Sequence, residues 1–312
     1  MKDFRILVVG SSNMDIVLKM DRIPVAGESL TQSDGYEYIP GGKGANAAIA
    51  AARLCGSAVF CARLGNDANG KRLLGAYEQE NVDTRFIKLD KSAQTGLAAI
   101  ILEKSGQNRI AVYPGANRSL TPDDIEEAFL SYPDAVLIQF EISPEVVISA
   151  TEYAKKHNIP VFVDAGPTNK DIDLSKLQNV EVFSPNEREA YDLAKVDLRD
   201  TNACLEACIK ISAMVKTKYI VLKLSNRGCF IYDGKYCDYL PSYEVKAVDT
   251  TAAGDAFTAA LTVEYMRCGN IKRACKYANA VGALTVTKLG AMTSLPTSAE
   301  VAKFIADKGI LI

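Results

Sequence analysis

Two glycine-bearing turns carry the residue types that chemistry needs. The first is Pro40-Gly41-Gly42-Lys43-Gly44-Ala45-Asn46. Its glycines let backbone approach a ligand closely. The helix that follows points free N–H groups at the same place, and Lys43 and Asn46 add donors. Gly42-x-Gly44-x-x-Ala47 also fits a dinucleotide-binding fingerprint, as an oxidoreductase would need. It follows a half-polar strand, however, and not the first buried one. The second turn is Val248-Asp249-Thr250-Thr251-Ala252-Ala253-Gly254-Asp255-Ala256-Phe257. A threonine cap is expected to open a long helix here. Ala252, Ala253 and Gly254 are small enough to leave their N–H groups uncovered, an anion hole at a positive helix end. Asp255 lies in that first turn. It either offsets the helix dipole or takes a proton from an alcohol attacking a bound phosphoryl group.

Other positions add weaker signals. Asn13 and Asp15, two apart on an extended segment, point the same way and suit a polyhydroxylated ligand or a solvated strand face. Asn186 and Glu189, in Ser184-Pro185-Asn186-Glu187-Arg188-Glu189, share a helical face and could hold water around magnesium. Residues 65–72 have P-loop spacing but end in Arg72 where Ser or Thr must bind magnesium. They are expected to join a strand to a helix, with Asp67 as N-cap.

Composition narrows the chemistry. The chain has 312 residues, 48% hydrophobic and 24% charged, the balance of an ordinary globular protein. Its 36 Lys and Arg against 38 Asp and Glu leave a net charge of -2, with no global pull toward nucleic acid or acidic membranes. The single histidine, His157, reads as a helix C-terminal residue, which leaves no spare imidazole for a triad. The eight cysteines form no C-x-x-C pair; Cys204 and Cys208 read as small buried hydrophobes. No signal-peptide core and no apolar run near about 20 residues is visible. The expectation is a cytosolic protein with neither a nucleic-acid nor a membrane partner.

The elements that must position these residues alternate along the chain. Residues 4–9 form a short buried strand; 16–20 and 31–39 read as half-exposed strands. Residues 45–54 are Ala-rich and helical. Strands at 58–64, 135–140, 161–164, 180–183 and 219–224 alternate with helices at 68–80, 144–156, 187–194 and 203–214. Thr121 caps a further helix with Pro122 at its first position. Residues 97–102 and 109–113 pair around a turn at 104–108, and 229–232 pairs with 235–240 around Asp233-Gly234. Helices fill 252–267, 271–286 and 298–307. This is an α/β chain whose central sheet is largely parallel and flanked by helices. The half-polar strands, about 13–40 and 95–114, make a small β-layer that lids a cleft or pairs with a second copy. All 312 residues form one domain.

At these residues the sequence resembles the ribokinase-like family of carbohydrate kinases. Gly41-Gly42-Lys43-Gly44-Ala45-Asn46 resembles its N-terminal signature and Asp249-Thr250-Thr251-Ala252-Ala253-Gly254-Asp255 its C-terminal one. Gly10-Ser11-Ser12-Asn13-Met14-Asp15, Gly115-Ala116-Asn117, Asn186-x-x-Glu189 and Gly290-Ala291 through Ser294 and Pro296 follow in the expected order. The likeness runs nearly end to end. It implies a Rossmann-like domain with a β-sheet lid, commonly paired in a homodimer. It implies ATP, magnesium and potassium, and transfer of a phosphoryl group to the 5-hydroxyl of D-ribose, or to another sugar or a nucleoside. By motif position Asp255 would be the base, and the amides of Ala252, Ala253 and Gly254 the anion hole. Asn13, Asp15, Gly41, Gly42, Lys43, Asn46 and Glu141 would bind the sugar. Asn186, Lys223, Leu224, Ser225, Asn226, Arg227, Gly228, Gly254 and Asn279 would hold ATP, and Glu189 would organise magnesium water. Asp249, Thr251, Thr285, Lys288, Gly290 and Ser294 would surround potassium, partly through carbonyls. Ala47 and Ser225 depart from the family, which often carries Gln and Gly there. A non-catalytic sugar-binding protein would need Asn13 and Asp15 but neither Asp255 nor the anion hole.

Overall fold

Strand and helix periodicities translate directly into elements in the computed structural model, which describes residues 4–31, 35–104 and 108–312. The chain runs β1 (Ile6–Val9), β2 (Asn13–Met20), β3 (Tyr36–Gly41), α1 (Lys43–Cys55), β4 (Ala58–Gly65), α2 (Ala68–Gln79) and β5 (Ile87–Asp90). It continues with β6 (Gly96–Glu103), β7 (Asn108–Tyr113), α3 (Pro122–Ala128), β8 (Ala135–Gln139), α4 (Pro144–Lys156), β9 (Val161–Asp164) and β10 (Val180–Ser184). It closes with α5 (Glu187–Ala194), α6 (Thr201–Ser212), β11 (Thr217–Lys223), β12 (Cys229–Tyr232), β13 (Cys237–Leu240), α7 (Ala253–Cys268), α8 (Ile271–Thr285) and α9 (Ser298–Asp307).

Among the described residues nine strands form one sheet in the order β13-β12-β11-β10-β9-β8-β1-β4-β5. It is parallel from β11 to β5, and the β12–β13 hairpin adds antiparallel strands at one edge. A four-stranded sheet, β3-β2-β6-β7, stands apart from it. This smaller sheet is mixed: β2 and β6 run parallel, and both outer pairings are antiparallel. It gathers the half-polar strands, with β3 largely exposed and β2 half-buried beyond Met14.

Each face of the large sheet buries its own core. Ile6, Val8, Leu137, Phe162, Val182 and Val221 pack with α1, α7 and α8 on one face. Leu7, Val9, Ile138, Val163, Phe183 and Ile220 pack with α3 to α6 on the other. Because side chains alternate along a strand, the first set continues, at the carboxyl ends, into Gly10, Gln139, Asp164, Ser184 and Lys223. The α1/α7 face is apolar for most of its height and turns polar at its carboxyl rim. That rim adjoins the point between β1 and β8 where strand order reverses, the usual place for a ligand in such sheets.

Several local expectations hold. Thr121 caps α3 in a reciprocal box with Asp124, Asp67 caps α2, and His157 closes α4, where it stacks on Phe129. Cys204 and Cys208 are buried. Others change. The edge strand β5 has too few residues to show a period in sequence, and it is fixed by pairing with β4. The expected strand at 31–39 is β3, two residues later at its end; residues 32–34 lie outside those described, as does most of the 104–108 turn. Among the described residues no helix is long and apolar enough to cross a membrane.

Candidate active site

The glycines of the first turn answer first to packing. Gly42 is the N-cap of α1 with φ +96°, and a Cβ there would sit 2.8 Å from the Asn13 amide nitrogen. A Cβ on Gly44 would come 2.6 Å from the Gly10 carbonyl carbon and the Ser11 nitrogen. Their absence lets the start of α1 press onto the β1–β2 connection, where the Ala45 N–H donates to Ser11 O at 2.9 Å. Gly41 in turn leaves room for the Asp15 carboxylate, which a Cβ would meet at 2.3 Å.

That contact assembles a polar floor at the base of the smaller sheet. Asn117 fixes it: its Oδ1 accepts from the Ser12 N–H at 2.8 Å, and its Nδ2 donates to Asn13 Oδ1 at 2.8 Å. Glu141, just beyond β8, accepts from the Ser11 hydroxyl and from the Lys43 N–H at 3.2 Å. Burial, reinforced by the neighbouring Glu141 charge, pushes the Asp15 carboxyl up to about 7.

The two turns meet at Asp255. Its Oδ2 accepts from Asn46 Nδ2 at 2.8 Å and its Oδ1 from Lys43 Nζ at 3.2 Å. Asp255 is buried, whereas the Lys43 side chain keeps 28% of its surface open. Burial works against the Lys43 charge. Asp255, Asp164, Glu189 and Glu141 outweigh it and hold the ammonium well above its usual range.

The helix start differs from the expected threonine cap. Ala252 is the N-cap, in the left-handed region at φ +61°, and no side chain caps it. The Thr251 hydroxyl is instead committed to Asp249 Oδ1 at 2.7 Å. The Ala253 N–H turns back to Thr250 O at 3.3 Å, so of the three expected anion-hole amides this one is already engaged. Ala252 and Gly254 present theirs without an acceptor among the described residues.

Beneath this turn lies a group that motif reading missed. Asp164, ending β9, receives a hydrogen bond from Lys223 Nζ, and the Thr258 hydroxyl of α7 lies 2.8 Å from the same Oδ2. The Gly166 N–H donates to its other oxygen at 3.1 Å. Against the cost of burial, Lys223 and Lys43 hold the Asp164 carboxyl below the usual carboxylate range. Gln139 is 1% exposed, and neither side-chain polar atom has a hydrogen-bond partner among the described residues; the same is true of Asn46 Oδ1. The available signal was a polar residue ending an otherwise apolar run, as in Ala-Val-Leu-Ile-Gln and Val-Phe-Val-Asp.

On the other side of α7 the turn after β11 comes up to the β10–α5 junction, where Asn186 and Lys223 are bridged. Asn186 caps α5 in a reciprocal box with Glu189: Asn186 N–H donates to Glu189 Oε2 at 2.8 Å, and the Glu189 N–H to Asn186 Oδ1 at 2.9 Å. Burial raises the Glu189 carboxyl, Lys223 opposes, and Asp164 raises it further. Leu224 is buried, Asn226 exposed, and Arg227 pairs with Glu187 at 2.6 Å. Ser225 takes φ +53°, a left-handed conformation that glycine adopts most readily. Asn279 is turned to the carbonyls of Leu240 and Pro241.

A second pair of loops meets behind Asp249, whose Oδ2 accepts from the Gly290 N–H at 2.9 Å. The hydroxyls of Thr285 and Ser294 bond to Val281 O and Ala291 O, and Lys288 pairs with Glu300. The side chains of Thr285, Lys288 and Ser294 are therefore spent locally, which leaves the carboxylate and backbone carbonyls as hard oxygen donors.

A family model described as pfkB family carbohydrate kinase matches residues 3–298. The chain is 34% identical over 296 residues to a bifunctional ribokinase/ribose-5-phosphate isomerase A of Fructilactobacillus sanfranciscensis, covering 94% of this chain and 54% of that protein. It is 32% identical over 302 residues to a ribokinase of Staphylococcus aureus, covering 95% and 98%. Its fold superposes on the Arabidopsis thaliana ribokinase complexed with ribose and ATP with a TM-score of 0.90 and 30% identity, covering 97% and 99%.

Proposed function

Because the chain belongs to the pfkB family of carbohydrate kinases, we propose that it transfers the γ-phosphoryl group of ATP to the 5-hydroxyl of D-ribose. The observation that carries this reading is Asp255, held by Asn46 and Lys43 from the sugar-side turn while standing in the first turn of α7. One carboxylate thus borders both the sugar floor and the phosphate cradle.

Asn13, Asp15, Gly41, Gly42, Asn46 and Glu141 line the sugar site. Asp15 and Glu141 accept from its hydroxyls. Asp255 takes the proton of the attacking hydroxyl, and Lys43 lies between that hydroxyl and the incoming phosphoryl group. Alignment and charge stabilisation supply most of the acceleration in such a transfer. The open amides of Ala252 and Gly254 face the developing negative charge. The turn at 223–228, Asn186 and Asn279 frame the nucleotide.

Magnesium, when bound, would neutralise the phosphate chain, and Glu189 with Asn186 fits a role in holding its water. A monovalent cation, potassium, fits the oxygens around Asp249, Thr251 and Gly290, with Thr285, Lys288 and Ser294 contributing carbonyls. The smaller sheet acts as a lid that excludes water from the sugar site. Its exposed Tyr36, Tyr38, Ile110, Val112 and Tyr113 support pairing with a second copy. Eight unpaired cysteines support a cytosolic setting.

Sugar-dependent ADP release, measured over a panel of pentoses, hexoses and nucleosides with magnesium and potassium present, tests the reading. Ribose is expected to give the highest kcat/KM. Turnover that ignores ribose sinks the assignment.

A further inference from the structure

A second ammonium stands at the anion hole. Among the described residues beyond its own helical turn, a Cβ added to Gly254 would meet one heavy atom within 4 Å, Lys223 Nζ at 3.7 Å. The space that this glycine leaves open therefore faces a lysine. Lys223 is 7% exposed, and an ammonium has three N–H donors. Asp164 Oδ2 takes one, and Thr258 Oγ1, at 3.4 Å, takes a poor second. The third has no acceptor among the described residues. Asp164 cannot swing away to follow its partner, because the Gly166 N–H and the Thr258 hydroxyl hold it. Lys43 and Lys223 thus flank the Gly254-Asp255 turn, one bonded to Asp255 and one beside Gly254.

A buried ion pair is a poor stabiliser compared with apolar residues of similar volume, so stability does not explain this one at the polar rim of the sheet. We propose that Lys223 is a catalytic residue that donates to an oxygen of the transferring γ-phosphoryl group, and that Asp164 is its positioning residue. This rests on the kinase reading. In the step it serves, a lone pair of the sugar hydroxyl forms the new bond to phosphorus. The bond from phosphorus to the bridging oxygen breaks, with its electron pair left on ADP, and the hydroxyl proton passes to Asp255. Charge on the equatorial oxygens is then shared among Lys223, Lys43 and the open amides.

The test compares binding of magnesium ADP and of the non-hydrolysable β,γ-imido analogue of ATP by titration calorimetry, which needs no sugar. Lys223→Met leaves Asp164 unpaired, so the double variant Asp164→Asn/Lys223→Met guards against misfolding. Both are expected to weaken the imido analogue about tenfold more than ADP. Lys223→Arg should recover most of that loss. With the sugar that the wild type accepts, Lys223→Met should lower kcat about 100-fold or more at little cost in sugar KM. Equal weakening of both nucleotides, or of neither, in the folded double variant overturns the proposal. Wild type without any sugar-dependent turnover would instead overturn the kinase reading, and the nucleotide comparison still decides Lys223.

Discussion

Asn46 Nδ2 and Asp255 Oδ2 lie 2.8 Å apart although 209 residues separate them in the chain. The bond ties the N-terminus of α1 to that of α7, so both positive helix ends converge on one carboxylate. It also fixes which Asp255 oxygen is spent: Oδ2 serves Asn46, and Oδ1 is shared with Lys43 and faces the site.

Asp255→Asn should keep the shape and lose the proton acceptor. Turnover is expected to fall about 100- to 10,000-fold, while the sugar dissociation constant measured by calorimetry stays within about threefold. A variant with wild-type kcat removes Asp255 from the role of base.

Gly42→Ala tests the packing claim. A Cβ at φ +96° would stand 2.8 Å from Asn13 N and 2.9 Å from Ser12 Cα, both backbone. Backbone strain and the forced shift should cost about 1–3 kcal/mol or more, read as a lower midpoint in urea. An Ala variant as stable as the wild type refutes the close approach.

The pH response follows from Asp15, whose carboxyl titrates near 7 in the folded chain against an ordinary 3.8. The folded state holds this proton more tightly than the unfolded one. Its contribution to stability is therefore present at low pH, declines as pH rises from 3.8, and is lost above 7. Sugar hydroxyls favour the ionised form, so ribose affinity should weaken below pH 7, by up to about tenfold per pH unit, with proton release on binding. Calorimetry in buffers of different ionisation enthalpy measures this. Affinity that is flat from pH 5.5 to 8 counts against Asp15 as a sugar ligand.

Asp249→Ala removes the acceptor that binds the Thr251 N–H, the Thr251 hydroxyl and the Gly290 N–H. The loop ahead of Ala252 should loosen. Turnover titrated with potassium chloride is then expected to need a several-fold higher half-saturating concentration, or to lose its potassium response. An unchanged titration removes Asp249 from the cation site.

Much of this was legible before folding because it is local. The helices at 144–156 and 187–194, the strand at 161–164 and the Thr121 and Asp67 caps depend on side-chain period and on hydrogen bonds three residues away. The two glycine turns were visible for the same reason. The start of α7 departs from the expected threonine cap, since nothing in Thr250-Thr251-Ala252 announces that Asp249 takes the threonine hydroxyl and leaves Ala252 at positive φ.

Sequence alone determined the alternation of elements and which residues have chemistry to offer. Tertiary structure alone decided what each offers it to. Gly44 reads as a ligand cradle until Gly10 arrives against it, Asp164 as a strand end until Lys223 and Thr258 close on it, and Gln139 as one residue of the 135–140 strand until its amide is left without a partner among the described residues. Each of these outcomes depends on contacts between segments far apart in the chain. A one-dimensional pattern carries the period of a strand or helix but not the identity of the atoms that fold against it.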